Sequence, residues 1–298
     1  MSVLKSSVIC FGEVLWDLFP NGAKPGGAPM NVAVHLQNFN ISSGVVSRLG
    51  YDRLGDELMK FLKSRGVATD LIQIDRQHET GVVRINVDKK DDPVYTIVDK
   101  VAWDFINDSF LSTEFAPKYL VHGSLASRAA NSSGSLQKLL EKSTAKVVFD
   151  INVRTPYYSK SVIDSMLKKA HIVKMNQEEF KMIKDWFYIK NPREQGDFKA
   201  LKALYPNIET MLLTKGAKGA VGWQPGKLES VKLNAVEVKD TVGSGDAFLS
   251  AFLAKTIEGA DFRDSVKFAA ATGALVATRE GANPEYSEKD VIPFIPAN

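Results

Sequence analysis

The 298-residue sequence has a single cysteine, Cys10, so no disulfide can form within the chain. No apolar run approaches the roughly 18 residues that a transmembrane helix needs. The first ten residues lack the apolar core and the cleavage site of a secretory signal. These absences are typical of a protein in a reducing compartment, so we expect a cytoplasmic location and no membrane partner.

Excess charge of one sign and the common nucleotide and metal motifs are also missing. The 38 basic side chains nearly balance 35 acidic ones, and the basic residues are scattered, so we expect no nucleic-acid partner. The four histidines lie in separate segments without metal-ligand spacing. Neither a Walker-type phosphate loop nor a Gly-x-Gly-x-x-Gly after the first apolar run is present. A small molecule is therefore the expected partner.

Short apolar runs alternate with amphipathic stretches along most of the chain. The runs are rich in β-branched and aromatic residues, which predicts strands buried on both faces. They are Ser7–Phe11, Gly44–Arg48, Tyr119–His122, Val147–Ile151, Ile172–Met175 and Met211–Thr214. Long helical patterns span Ser244–Glu258 and Phe262–Arg279. The alternation predicts one α/β domain over residues 1–298, with a mainly parallel central sheet and helices on both faces.

One stretch departs from this alternation. From Leu71 to Val98 the pattern has period two, and the polar segment Lys89–Pro93 predicts the turn of an antiparallel hairpin. Such an insertion is a candidate cover over a site, and a plain extension of the sheet edge is the alternative. We expect lid segments at about residues 13–25 and 71–98. A homodimer through the lid would cover the other face of so small a sheet.

A glycine-rich segment near the C-terminus carries the first candidate chemistry. Gly243, Ser244, Gly245 and Asp246 precede an apolar helical pattern. The first-turn amides of a helix have no intrahelical partners and, with the helix dipole, attract anions such as phosphate. Asp246 is suited to taking a proton from an attacking hydroxyl, and the helix end should keep it ionised at neutral pH. An acidic residue that merely stabilises the helix start is the alternative.

A second glycine-rich segment lies near the N-terminus, at Gly26-Gly27-Ala28-Pro29-Met30-Asn31. Pro29 marks a helix start, the paired glycines allow close approach of the backbone, and Asn31 can donate and accept toward a polyol. Upstream, Asp17 could accept hydrogens from two sugar hydroxyls. A tight turn and a solvated loop acid are the alternatives.

Together, the two segments resemble the signatures of the ribokinase-like, or PfkB, carbohydrate kinases. Gly26, Gly27, Asn31 and Ala33 match the N-terminal signature, and Asp240-Thr241-x-Gly-x-Gly-Asp246 matches the C-terminal one. Further family landmarks follow in the family's order: Gly50-Tyr51-Asp52, Asp150-x-Asn152-x-Arg154, Lys174-x-Asn176-x-x-Glu179 and Thr214-x-Gly216-x-x-Gly219. The resemblance covers nearly the whole chain and implies a three-layer ribokinase-like fold with a small β lid.

The resemblance also implies an activity, transfer of a phosphoryl group from ATP to a sugar hydroxyl. Asp246 would be the base, and the amides of Gly243, Ser244 and Gly245 would form the anion hole. The sugar-binding residues would be Asp17, Gly26, Gly27, Asn31 and Arg154. The nucleotide-binding residues would be Lys174, Asn176, Thr214, Gly216, Gly219 and Ala270.

Two ions are implied by the same resemblance. Asn176 and Glu179 would organise magnesium, mostly through water, because magnesium keeps much of its hydration. A monovalent cation, potassium in particular, would lie beside Asp240, Val242 and Gly281.

The choice of sugar depends on which residues occupy the variable positions of the motifs. Gly12-Glu13, Asp17 and Trp103-Asp104-Phe105 look most like the fructokinase branch, which implies D-fructose as substrate and fructose 6-phosphate as product. A 2-keto-3-deoxygluconate kinase, or another sugar or nucleoside kinase of the family, is the alternative. A non-catalytic sugar-binding regulator is an alternative of another class, but it would have no need for Asp246 together with an intact glycine loop.

Overall fold

The computed structural model describes residues 6–20, 22–87, 93–112 and 116–296. Residues 89–92 of the turn predicted at Lys89–Pro93 lie outside the described residues, and Pro93 begins a strand. None of the helices in the described ranges combines the length and the apolarity needed to cross a bilayer.

The described residues form strands and helices that alternate along most of the chain. The strands are β1 (Val8–Phe11), β2 (Leu15–Phe19), β3 (Gly22–Gly26), β4 (Ser43–Gly50), β5 (Ile72–Asp75), β6 (Gly81–Val87), β7 (Pro93–Ile97), β8 (Tyr119–His122), β9 (Lys146–Asp150), β10 (Ile172–Asn176), β11 (Thr210–Thr214), β12 (Ala220–Gln224) and β13 (Lys227–Val231). The helices are α1 (Ala28–Asn38), α2 (Arg53–Ser64), α3 (Ala130–Lys142), α4 (Lys160–Leu167), α5 (Gln177–Trp186), α6 (Glu194–Leu204), α7 (Ser244–Glu258), α8 (Phe262–Ala277) and α9 (Glu288–Val291).

Nine strands form one large sheet in the order β13-β12-β11-β10-β9-β8-β1-β4-β5. Pairing is parallel from β11 through to β5, and only β12, which pairs antiparallel with both β11 and β13, runs in the opposite direction. The prediction of a mainly parallel α/β sheet is confirmed.

Alternation of side chains along β1 shows how the sheet separates two helical layers. Val8 and Cys10 pack into a cluster with residues of α1, α2, α7 and α8. Ile9 and Phe11 point to the other face and pack with residues of α3, α4, α5 and α6. Successive side chains of a strand point to opposite faces, so a strand buried on both sides joins two cores. The three-layer prediction is therefore confirmed.

Strand order fixes where a ligand can enter. From β1 the chain passes through α1 to β4 and β5 on one side, and it later returns to β8 on the other. The order thus reverses between β1 and β8. In open α/β sheets, ligands bind beyond the carboxyl ends of the strands at such a switch point.

The remaining four strands form a second, small sheet in the order β3-β2-β6-β7, which we call the lid. Strands β6 and β7 pair antiparallel, as the period-two pattern predicts, and β2 joins β6 in parallel. The predicted lid segment 71–98 is wrong over residues 71–75, however. Ile72–Asp75 pairs in parallel with β4 at the edge of the large sheet, and Leu71 and Ile72 are buried in its cores. A period of two identifies strands but not the sheet they join.

Candidate active site

The predicted site segments gather at the carboxyl edge of the large sheet. Strand β9 ends at Asp150, β10 at Asn176 and β11 at Thr214. The sheet register pairs Lys174 with Asp150, and Asn176 with Thr214. Neighbouring parallel strands end at the same edge, so motifs far apart in sequence lie side by side.

The first turn of α7 forms an anion pocket. Gly243 precedes the helix with φ of 77°, and a Cβ there would lie 2.5 Å from the carbonyl oxygen of Ala282, so only glycine fits. No side chain in the described structure caps this helix, and the Ser244 amide makes only a long hydrogen bond of 3.3 Å, to the carbonyl oxygen of Thr241. First-turn amides have no partners within a helix, so this end can attract an anion. A Cβ on Gly245 would lie 2.9 Å from the ammonium of Lys174. The start of α7 and the Lys174 ammonium therefore lie side by side, and both attract an anion such as phosphate.

Asp246 lies in the same helical turn and is only 8% exposed. Its Oδ2 accepts a hydrogen bond of 2.8 Å from Nδ2 of Asn31. Burial raises the pKa of Asp246 to about 6, against the opposing effects of Lys174, Asn31 and Arg154. From the sequence, the helix end is expected to favour the charged form of Asp246. In the structure, desolvation outweighs this effect and raises the pKa. The carboxylate is still mostly ionised at neutral pH.

Lys174 and Asp150 form a buried ion pair next to Asp246. The Lys174 ammonium lies 3.0 Å from both carboxylate oxygens of Asp150. Burial opposes the charged form, but Asp150, Glu179 and Asp246 together keep the pKa of Lys174 above its usual range. The predicted nucleotide-binding lysine therefore presents a fixed positive charge beside the first turn of α7.

The N-terminal segments form the opposite wall of the site. Gly27 has φ of 113°, and a Cβ there would lie 2.3 Å from the carbonyl oxygen of Glu13, so this position also requires glycine. A Cβ on Gly26 would lie 2.3 Å from Oδ2 of Asp17, so the glycine leaves room for that carboxylate. Burial raises the pKa of Asp17 to about 6, although Arg154 lowers it.

Arg154 is exposed and lies beyond the end of β9. Its guanidinium lowers the pKa values of Glu13, Asp17 and Asp246, so its charge acts on all three of these carboxylates. It donates a hydrogen bond of 3.1 Å to the carbonyl oxygen of Val153.

Asn176 and Glu179 form a capping box at the start of α5. Oδ1 of Asn176 accepts from the Glu179 amide at 2.9 Å, and Oε2 of Glu179 accepts from the Asn176 amide at 2.8 Å. Oε1 of Glu179 accepts from the Val153 amide at 3.1 Å. Both carboxylate oxygens are thus engaged by the backbone. This arrangement fits contact with magnesium through water and does not favour direct ligation.

The other residues predicted to bind the nucleotide lie in two places, at the edge of the large sheet and within the core. Thr214 ends β11, and Gly216 and Gly219 flank a short 3-10 turn with φ of 57° and 99°. These three lie along the same sheet edge as Asn176. Ala270 lies on α8 and is only 2% exposed within the core, so the structure does not bring its side chain to the surface of the site.

Asp240, Val242 and Gly281 do come together. Oδ1 of Asp240 accepts from the Val242 amide, and Oδ2 accepts from the Gly281 amide, each at 3.0 Å. The carboxylate thus joins the loop before the anion pocket to the loop after α8. Its oxygens, with the nearby carbonyls, are the donor type that a hard monovalent cation prefers. Within the described ranges, no group of three or more His, Cys, Asp or Glu side chains has the geometry of a metal site.

Sequence reasoning missed two residues of the site. Glu13 is 3% exposed, burial raises its pKa to about 7, and it accepts from the Ala28 amide at the start of α1. Asn283 donates from Nδ2 to Oδ1 of Asn31 at 2.8 Å. In the sequence, Gly12-Glu13 contributed only to the choice of sugar, and an asparagine in a C-terminal loop carries no pattern that distinguishes it from an ordinary loop residue.

The raised pKa values of Asp17 and Asp246 predict an acid limit to activity. In the roles that the sequence predicts for them, both carboxylates would act in the ionised form, and both pKa values are raised to about 6. As the pH falls below about 6, both should become protonated, and kcat/KM should fall by at least about tenfold for each pH unit. A pH–rate profile between pH 4.5 and 8 checks this. An acid limb near pH 4, the region of ordinary carboxyl groups, would contradict it.

Comparison with known proteins identifies the family. The crystal structure of a fructokinase from Vibrio cholerae O395, with fructose, ADP and calcium bound, has a TM-score of 0.85 and 25% identity, covering 98% of this chain and 99% of that one. Probable fructokinase-4 of Arabidopsis thaliana is 25% identical over 99% of this chain and 98% of its own. Fructokinase of Escherichia coli is 27% identical over 94% and 95%. Residues 7–289 match the pfkB family carbohydrate kinases, and the chain belongs to that family.

Proposed function

We propose that the protein transfers the terminal phosphoryl group of ATP to D-fructose and releases fructose 6-phosphate and ADP. The observation that carries this proposal is the position of Asp246 in the first turn of α7, beside the anion pocket. Its carboxylate accepts a hydrogen bond of 2.8 Å from Asn31, which belongs to the wall formed by the N-terminal segments, here called the sugar wall. A base at the junction of a phosphate pocket and a polyol pocket suits transfer from one to the other. Relatives that are named fructokinases support fructose as the acceptor.

The proposed reaction uses the two walls in one step. Asp17 and Asn31 orient the sugar, and Asp246 takes the proton from its attacking hydroxyl. The hydroxyl oxygen bonds to the γ-phosphorus while the bond from that phosphorus to the bridging oxygen of ADP breaks. The amides of Gly243, Ser244 and Gly245, with the charge of Lys174, stabilise the transferring group.

Other residues keep their proposed roles in binding. Gly26, Gly27 and Arg154 would complete the sugar wall, and Asn176, Thr214, Gly216 and Gly219 would flank the nucleotide. When bound, magnesium neutralises phosphate charge, and Asn176 and Glu179 would orient its water ligands. Asp240, Val242 and Gly281 would hold a potassium ion. Ala270, which has a small side chain, would leave room for adenine beside α8.

The test is a coupled ADP-release assay with the purified protein across ketoses, aldoses, keto-sugar acids and nucleosides. We expect the highest kcat/KM with fructose. A higher value with 2-keto-3-deoxygluconate or a nucleoside would replace fructose as the substrate. Sugar binding by calorimetry without ADP release from any member of the panel would contradict catalysis and favour a sugar-binding regulator.

The lid should close when sugar binds. Asp17 lies on β2 directly opposite Val83 of β6, and Leu15, Val83 and Ile85 form the lid's own apolar cluster. Sugar held by Asp17 therefore restrains β2 and, through the sheet, β6. Exclusion of water favours transfer to the sugar over hydrolysis of ATP. Amide hydrogen exchange at Val83 and Ile85 should slow when sugar is added, beyond the effect of ADP alone. Exchange that does not respond to sugar would contradict a moving lid.

We also propose a homodimer through the lid. Leu18, near the end of β2, is partly exposed, and a second copy of this small sheet would cover it. Analytical ultracentrifugation of the wild type and a Leu18→Glu variant tests this. A monomeric wild type would contradict it.

The cytoplasm stays the proposed location, in keeping with the buried free thiol of Cys10, and cell fractionation tests it.

A further inference from the structure

A chain of three side chains leads from the lid to the catalytic base. Nδ2 of Asn283 donates to Oδ1 of Asn31 at 2.8 Å, and Nδ2 of Asn31 donates to Oδ2 of Asp246 at 2.8 Å. The two ends of an amide group have opposite hydrogen-bonding character. If Oδ1 of Asn31 accepts from Asn283, its Nδ2 must therefore be the atom that faces Asp246.

The orientation of Asn283 is itself determined by its surroundings. The Nδ2 of Asn283 also donates to the carbonyl oxygen of Pro25, on β3 of the lid, at 3.2 Å. Both of its contacts are with oxygen acceptors, so a reversed amide would place Oδ1 against two oxygens. Only one orientation satisfies the hydrogen bonds.

The backbone around Asn283 is held at two carbonyl oxygens. Its carbonyl oxygen accepts from Arg65 at 3.0 Å. The preceding carbonyl, of Ala282, lies 2.9 Å from Nε2 of His35, and the Tyr286 hydroxyl lies 2.8 Å from Nδ1 of the same ring. Burial lowers the pKa of His35 to about 3, so the ring is neutral, and one nitrogen can donate while the other accepts. Asn283 therefore presents its amide from a rigid segment.

We propose that Asn283 is a positioning residue, whose side-chain amide orients Asn31 so that Asn31 donates to the base Asp246. Without it, the Asn31 amide is free to rotate and to present its oxygen to the carboxylate. Asp246 would then lose a hydrogen bond that favours its charged form. Since Pro25 belongs to β3, the same amide also ties the geometry of the base to the lid.

Other groups also act on Asp246, and a test has to leave them unchanged. Lys174, Asp150, Arg154, Glu13 and Cys10 interact electrostatically with it from β10, β9, the loop after β9, the loop after β1 and β1. Asn283 carries no charge, and leucine has a similar shape. The replacement therefore leaves these four charged side chains and the one thiol in place. Any change at Asp246 then reports the lost amide.

The experiment compares Asn283→Leu, the amide-retaining Asn283→Gln and the control Tyr286→Phe, which loosens the same segment without touching the amide. The inference rests on the proposed function for its kinetic arm. A second arm follows the Asp246 carboxyl in a carbon-13 NMR titration, with its signal assigned from Asp246→Asn, and needs no substrate.

We expect Asn283→Leu to raise the Asp246 pKa by about one unit and to lower kcat about fivefold at pH 6, with the KM for ATP little changed. Asn283→Gln should recover most of both effects. Tyr286→Phe should lower the melting temperature and leave the Asp246 pKa unchanged. If Asn283→Leu does not fold, Asn283→Ala carries the same expectation.

Two results would overturn the assignment. One is an unchanged Asp246 pKa in the folded variants that lack the amide. The other is an equal shift in Tyr286→Phe, which would make Asn283 merely structural. A wild type that is inactive with fructose would contradict the proposed substrate instead, and the titration would still decide the role of Asn283.

Discussion

Asp246→Asn should lower kcat by about 10²- to 10⁴-fold, the usual contribution of a general base, without unfolding the protein. The substitution is nearly isosteric, and the new amide can still accept the hydrogen bond that Asn31 donates at 2.8 Å. The anion pocket is built from backbone amides and is unaltered, so nucleotide affinity should stay within about twofold of the wild type. The measurements are kcat by ADP release and nucleotide affinity by calorimetry.

The same variant should be more stable than the wild type at pH 8. The pKa of Asp246 is raised in the folded state, from an ordinary 3.8 to about 6, so the folded protein binds this proton more tightly than the unfolded chain does. Stability from this group therefore falls as the pH rises between about 4 and 6 and stays low above that range. Asparagine avoids the cost of a buried charge. The gain in melting temperature should be full at pH 8 and should decrease as the pH falls to 4.

The two readouts separate the base from a structural acid. Wild-type turnover in the Asn variant would show that Asp246 is not the base. A variant that is both inactive and less stable at pH 8 would show that the carboxylate supports the fold. Only lost turnover with retained or increased stability matches a charge that is kept for function.

Much of this fold can be predicted from sequence because most strands are buried on both faces and appear as short apolar runs. The predicted bounds of Tyr119–His122 and Ser244–Glu258 agree with the structure. The helix predicted at Phe262–Arg279 ends instead at Ala277, where fraying makes bounds uncertain by a residue or two. The glycine segments are equally readable, because positive φ at Gly27 and Gly243 and close backbone contacts require that residue.

What could not be predicted depends on tertiary contacts. Ile72–Asp75 has the pattern of a strand, but only its neighbours place it beside β4. The direction of the Asp246 shift depends on how deeply the helix start is buried, which a sequence does not specify. The amide of Asn283 matters because Asn31 lies 2.8 Å away, from the other end of the chain.

Asp17→Ala should weaken sugar binding by roughly 10²- to 10⁴-fold. The proposed carboxylate contacts are two charge-assisted hydrogen bonds to sugar hydroxyls, each worth about 1.5–3 kcal/mol, and about 1.4 kcal/mol corresponds to tenfold in affinity. Nucleotide affinity should be unchanged, because Asp17 lies on β2 of the lid, away from the residues at the ends of β10 and β11. Calorimetric titrations with fructose and with ADP measure the two affinities separately.

Asp17→Asn is the matched control for this variant. It keeps the shape and one acceptor oxygen but loses the charge, so its affinity for sugar should lie between those of the wild type and Asp17→Ala. Both variants should also lose the contribution of Asp17 to the acid limit near pH 6, which would leave Asp246 alone to define that limb. Equal losses of sugar and nucleotide affinity would point to a distorted lid rather than to a lost sugar contact. Unchanged sugar affinity in Asp17→Ala would contradict the proposed contact between Asp17 and the sugar and leave Asp17 as a partly buried acid of β2.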